Sequence, residues 1–352
     1  MVSDLYKLVS FSELGDIGNG DSYDARISAN STLVSFYSKA ENLVDNDFAA
    51  GRNFFVKNLI TGEVKILDVD QDGHTFREAQ LSSFVFSPDN KQVVFSSSQQ
   101  GLTPESGDTD VVYLLDLEVG VPVIISRNSA GIIGHGYHFG PQFIQDPSVN
   151  KIAFMGFISG LAPHDAHGPN SNSSQDIFIK DLDTGELKLV STSESGIIGN
   201  NSLEGTPVFS YSGNKLLFYS LATDLIDGET TSSGNVFLKN VITGSVEVID
   251  DVPVVVRSPV ATFSKDDNFL KIGDEVLNLL TKDISSLSDA GLTETDFNYN
   301  PPQNTDYEVI VTNHSLLPED TNHFFDVYLK DLNSGIVNCT PSAQVGQMMV
   351  YC

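Results

Sequence analysis

Asp68-Val69-Asp70-Gln71-Asp72-Gly73 is the stretch whose residue types and spacing come nearest to a known chemistry. Acids at alternate positions followed by glycine form the first half of an oxygen-rich calcium loop. The carboxylates converge on one hard cation and the glycine permits the sharp turn. The bidentate acid that completes such a loop belongs at its twelfth position, which here is Ala79, and Glu78 comes one residue early. Asp68, Asp70, Asp72 and Glu78 are the candidate calcium ligands, and calcium is the candidate cofactor. Against this, Asp72-Gly73 also reads as the local copy of a recurring turn, Ser195-Gly196. A second candidate is His164-Asp165-Ala166-His167, with His135 and His138 in the loop before it. Such pairs hold a transition metal when one rigid element fixes them. No cysteine or third fixed ligand accompanies them, so solvated loop histidines are the simpler reading.

Other chemistries find little support. No G-x-S-x-G nucleophile elbow is present, and Gly156-Phe157-Ile158-Ser159-Gly160 has the wrong spacing. There is no phosphate-binding glycine loop and no cysteine metal motif. Cys339 and Cys352 are the only cysteines; they can form a local bridge in an oxidising compartment, but one pair is no disulfide framework. The 352 residues carry 47 acids against 19 Lys and Arg, a net charge of -28. That balance argues against nucleic acid and anionic membranes and favours basic proteins, peptides or cations. Regularly spaced aromatics, 22 Phe and 11 Tyr, argue for a packed core over disorder. No apolar run approaches a membrane span. The N-terminal MVSDLYKLVSFSE lacks the basic start and apolar core of a signal peptide. The expectation is nonetheless an exported or surface-displayed protein, as a fragment of a longer chain or by another export route.

The elements that must position these residues are repeats. Asp176 to Gly196 reads as strand, Asp183-Thr184-Gly185 turn, strand, then a polar loop. Its first strand recurs at Phe54 to Leu59, Val112 to Leu117, Val236 to Val241 and Val327 to Leu332. A second hairpin precedes each copy, most clearly Phe84 to Ser96. Each unit is therefore four short strands, and roughly six units of about 55–65 residues fill the chain. Four-stranded units that bury both faces against their neighbours close into a β-propeller. The expectation is an all-β, six-bladed propeller of four-stranded antiparallel blades, as one domain over residues 1–338 with 339–352 as a tail. The fifth unit, Phe263 to Leu287, lacks the long central loop and is a trimmed blade. Leu5 to Ser10 matches the fourth strand Leu187 to Ser191 and is expected to close the last blade, although Ile336 to Cys339 also fits that place.

Phe86-Ser87-Pro88-Asp89-Asn90-Lys91 with Val94-Phe95-Ser96-Ser97 resembles the FSPDGK repeat signature of TolB-like β-propellers, with Asn90 where that family has glycine. Ala40 to Val44, Ala222 to Ile226 and Asp176 to Leu182 resemble a bacterial branch of the same repeats. The resemblance covers nearly the whole chain. It implies the propeller fold and a theme of protein interaction, sometimes beside a hydrolase domain.

In such blades the loops between second and third strands, and between fourth and first, share one face. This assignment puts all seven histidines there: His74, His135, His138, His164, His167, His314 and His323. Asp45, Asp47, Asp108, Asp165, Asp227, Glu229 and Asp320 join them, while Lys91, Lys151, Lys215 and Lys265 fall in the opposite turns. The expected function is a non-catalytic recognition scaffold whose acidic, histidine-bearing loop face binds a basic protein or peptide, with calcium as a cofactor. The alternative is a propeller hydrolase or lyase with carboxylates at the central channel.

Overall fold

The computed structural model describes residues 5–45, 51–69, 81–107, 109–159, 161, 175–227, 234–250, 254–255, 258–297 and 306–332. Short strands dominate. β1 (Tyr6–Leu8) precedes the first blade, which is β2 (Ser22–Ile27), β3 (Leu33–Ser38), β4 (Asn53–Asn58) and β5 (Val64–Ile66). The second is β6 (Leu81–Phe86), β7 (Gln92–Ser97), β8 (Val111–Asp116) and β9 (Pro122–Ile124). The third is β10 (His135–Phe143), β11 (Lys151–Ser159), β12 (Asp176–Asp181) and β13 (Leu187–Leu189). The fourth is β14 (Leu203–Phe209), β15 (Lys215–Ser220), β16 (Asn235–Asn240) and β17 (Val246–Val248). A small ribbon follows, β18 (Val254–Val255) with β19 (Ser258–Pro259). The fifth blade is β20 (Thr262–Phe263), β21 (Phe269–Ile272), β22 (Glu275–Asn278) and β23 (Ile284–Ser286), and a 3-10 turn (Glu294–Asp296) comes after it. β24 (Tyr307–Thr312) and β25 (Asp326–Asp331) complete the order.

Five antiparallel sheets are four-stranded in sequence order, and a sixth runs β1-β25-β24. The protein is an all-β propeller, consistent with six blades. The strand period of two decides which neighbour each residue meets. Phe54 and Val56 of β4 pack with Phe84 and Phe95 of the second blade. Phe55, between them, packs with Val327 and Leu329 of the last. Both faces of a blade are thus buried, and the central strands are continuous apolar runs such as Val93-Val94-Phe95. Shared cores of this kind join blades six to one, one to two, two to three, three to four and four to five.

Each innermost strand of the first four blades breaks register at a bulge. Each break holds a left-handed residue: Asp24 (φ 51°), Ser83 (φ 53°), Gly140 (φ 60°) and Gly205 (φ 73°). The fifth blade joins its second and third strands through the Gly273-Asp274 turn alone, where the other blades have long loops. N-terminal β1 pairs with β25 in the register Tyr6↔Lys330, Lys7↔Leu329 and Leu8↔Tyr328. Residues 333–352, with Ile336 to Cys339 and Cys352, lie outside the described residues.

One placement differs from expectation. His135 and His138 belong to strand β10, not to a loop. β10 and β11 are nine residues each, where the corresponding strands of the other blades have two to seven. The pairs His135↔Ser159, Gly136↔Ile158 and Tyr137↔Phe157 extend this hairpin above Gly156↔Asp176, where β12 begins. The apolar and small residues of Gly156-Phe157-Ile158 continue the strand pattern, so the hairpin grows upward instead of opening into a loop.

Candidate functional site

The described connections of the loop face are held by hydrogen bonds. Residues 10–15, 126–131, 191–196 and 286–291 are four copies of one turn, S-x-[SN]-x-x-G. In each the glycine amide returns to the third residue: Gly15 to Ser12 (3.1 Å), Gly131 to Asn128 (2.9 Å), Gly196 to Ser193 (3.1 Å) and Gly291 to Ser288 (3.1 Å). Those glycines have φ between 71° and 95°, a region that side chains disfavour. The first residue caps the third strand. Ser10, Ser126 and Ser191 Oγ accept from the amides of Val327 (3.1 Å), Val112 (3.0 Å) and Ile177 (3.2 Å).

Asp68 to Gly73 is a further copy of this turn by sequence, and Asp68 behaves accordingly. It is fully buried and its Oδ1 accepts from Phe54 N at 2.7 Å, the role of the serines. Asp70 falls at the position of Ser12, Asn128 and Ser193. Asp70, Asp72, His74 and Glu78 lie outside the described residues. So do Asp47, Asp108, Asp165, Glu229, His164 and His167.

Three of these connections are also gripped by the next blade. The fifth residue of the third strand is a buried lysine in three blades. Lys57 Nζ donates to Phe11 O (2.6 Å) and sits 2.9 Å from the Phe11 ring centroid. Lys180 Nζ donates to Arg127 O (2.9 Å), and Lys239 Nζ to Thr192 O (2.6 Å) and Ser193 O (2.9 Å). Burial pulls these ammonium groups below the usual lysine range, Lys57 to about 7 and Lys239 to about 8. The connections then dock on the neighbouring long loops by reciprocal bonds. Glu41 N donates to Asn19 Oδ1 (2.7 Å) and Asn19 N to Asn42 Oδ1 (2.9 Å). Thr223, Asn200 and Asp224 repeat the arrangement. Gly18 and Gly199 allow the approach: a Cβ on Gly199 would lie 2.9 Å from Ala222 Cβ.

At the junction of the last and first blades a polar network lies under the face. Ser10 Oγ donates to Asp326 Oδ1 (2.6 Å), and the Tyr328 hydroxyl donates to Asp320. Burial raises the Asp326 carboxyl, and the nearby Asp320 and Asp21 raise it further. Above it, Asn322 Nδ2 donates to Gly18 O (2.9 Å), Phe325 N to Asp21 Oδ1 (3.0 Å) and Ser22 N to Phe325 O (2.6 Å). Phe324 and Phe325 nonetheless remain 38% and 45% exposed. Tyr137, on the extended hairpin of the third blade, is 65% exposed on the same face. Glu41, Asp45, Glu105 and Glu319 are other exposed loop residues assigned to this face, as is Lys39. The pair His323-Phe324-Phe325 and the run Gly136-Tyr137-His138 were signals in the sequence, as aromatics set in polar loop contexts.

The histidines whose side chains are described, His138, His314 and His323, lie in different blades or environments. His138 is buried, its ring centroid 5.9 Å from that of Phe154 inside the blade. His314 and His323 are exposed in the last blade's loop. Among the described residues no group of three or more His, Cys, Asp or Glu is placed to hold a metal ion. On the channel side, Asp24 and Arg26 of β2 are exposed and Glu204 of β14 is half-buried.

No family model matches the chain, and no curated protein matches it. Among solved structures, TolB from Acinetobacter baumannii is 15% identical with a TM-score of 0.38, over 91% of this chain and 56% of that one. Oligogalacturonate lyase from Vibrio parahaemolyticus is 13% identical with a TM-score of 0.39, over 89% and 91%. The β-propeller domain of the Trilobed protease from Pyrococcus furiosus is 11% identical with a TM-score of 0.40, over 75% and 72%. The chain spans little more than half of the first of these, and likenesses of this size carry no argument about activity or partner. The structural neighbours of this chain are TolB and related β-propeller proteins.

Proposed function

We propose that the chain is a recognition scaffold that binds a protein or peptide partner, of basic character, on the face carrying the long loops. The observation behind this reading is the exposure of Phe324 and Phe325 on a hydrogen-bonded connection and of Tyr137 on the paired end of β10. Rigid elements that present exposed aromatics are the usual make-up of binding anchors. The net charge of -28 favours a cationic partner and fast, salt-sensitive association.

The test is affinity capture from the native source with the intact chain and with Tyr137→Ser, at low and high salt. Specific capture that weakens in the variant and with salt supports the scaffold. The alternative, channel carboxylate chemistry, has its own readout. Turnover of glycosides, esters or uronate polymers that Asp24→Asn abolishes would replace the binding reading.

A further inference from the structure

Phe324 and Phe325 are consecutive exposed aromatics, a short apolar step in the chain of the last blade, and several hydrogen bonds hold their backbone in place. Phe324 N donates to Asn322 Oδ1 (2.9 Å), and Phe325 is tied to Asp21 and Ser22 of the neighbouring blade through both its amide and its carbonyl. Asn322 in turn holds Gly18 O. The two rings therefore sit on a backbone fixed from both blades, and they stay exposed although burial would favour them. Asp21 adjoins the step through the Phe325 amide, the exposed Glu319 precedes it in the same loop, and Glu41 is tied to Asn19 of the neighbouring connection. Lys39 and His323 are the groups that oppose this field locally.

We propose that this step is the anchor for an arginine-rich peptide segment of the partner. A guanidinium lies flat on a phenyl ring while its N–H groups reach a carboxylate beside it. The step supplies the rings and its rim supplies the carboxylates. A neutral apolar partner would leave that rim desolvated and unpaired. The inference rests on the scaffold reading and names its anchor and partner chemistry.

The test is fluorescence anisotropy of a labelled hexa-arginine peptide, with hexa-citrulline as its uncharged isostere, at about 150 mM salt, where weak long-range attraction is screened. The intact chain binds hexa-arginine and not hexa-citrulline. Phe324→Ser with Phe325→Ser leaves the net charge unchanged and weakens binding about tenfold, the size expected for two cation–π contacts. Leu280→Ser, at a 90% exposed residue on the opposite turns, leaves binding unchanged. Equal binding by the double variant would reduce the effect to bulk charge and overturn the anchor. Binding of hexa-citrulline as tight as hexa-arginine, or no binding of hexa-arginine, would overturn the partner chemistry. These failures leave the scaffold reading to the capture experiment. Phe324→Ser alone, at the less exposed ring, is the second variant should the double one not fold, and it is expected to lose part of the affinity.

Discussion

Ser10 and Asp326 stand 316 positions apart and meet at 2.6 Å, the Ser10 hydroxyl donating to the Asp326 carboxylate. The same hydroxyl accepts from Val327 N at 3.1 Å, so one side chain joins the N-terminal strand to the last blade twice. Ser10→Ala strands a buried carboxylate oxygen and a buried amide. The expected loss is about 1–3 kcal/mol, read from urea midpoints. An unchanged midpoint would show that the seam is held by β1 pairing alone.

The same seam carries a pH dependence. The folded-state pKa of Asp326 is raised by burial and then by Asp320 and Asp21. Between its ordinary value and the raised one the folded state holds more protons than the unfolded state. Stability conferred by this group therefore falls as pH rises through that window. Asp326→Asn keeps an oxygen for Ser10 and removes the titration, so the variant is expected to gain on the intact protein as pH climbs from acid to neutral. Parallel stability–pH curves for the two proteins would contradict this.

Lys57 gives the opposite slope. Its folded pKa falls from 10.5 to about 7 by burial, so between those values the unfolded state binds the extra proton. The stability of the intact chain relative to Lys57→Met is expected to rise from neutral to alkaline pH, and to level off below about 7. Denaturant titrations across that range measure it. A flat difference would place the ammonium in a solvated position.

Asp68 is expected to tolerate serine, the residue of the equivalent positions, and to lose about 1 kcal/mol on replacement by alanine, which leaves Phe54 N without its acceptor. The turn reading of Asp68 to Gly73 also implies superimposable melting curves in millimolar calcium and in chelator. A calcium-induced rise in Tm that Asp70→Asn removes would instead favour the cation loop, since a ligand selective for the folded state must stabilise it.

The blades were legible because their signals are local and repeated. Short apolar strands such as Phe54 to Val56, with turns such as Thr61-Gly62, depend on nothing distant. The site was less so. D-x-D-x-D-G matches S-T-S-E-S-G in the spacing of its first, third and last residues but differs in ligand-like side chains. Among its described residues only Asp68 has a bond like that of the serines. His138 read as a loop ligand because its strand is longer than those of the other blades, which a period count does not reveal. The lysine grips needed the third dimension, since Lys239 reaches a connection 46 positions away.

The most direct test of the scaffold reading is hydrogen exchange on the chain with and without its captured partner. Protection is expected on the loop face, at residues 18–22, 39–45, 135–138 and 320–325. Protection confined to the opposite turns, at 87–91, 146–151, 210–215 and 264–268, would contradict the account.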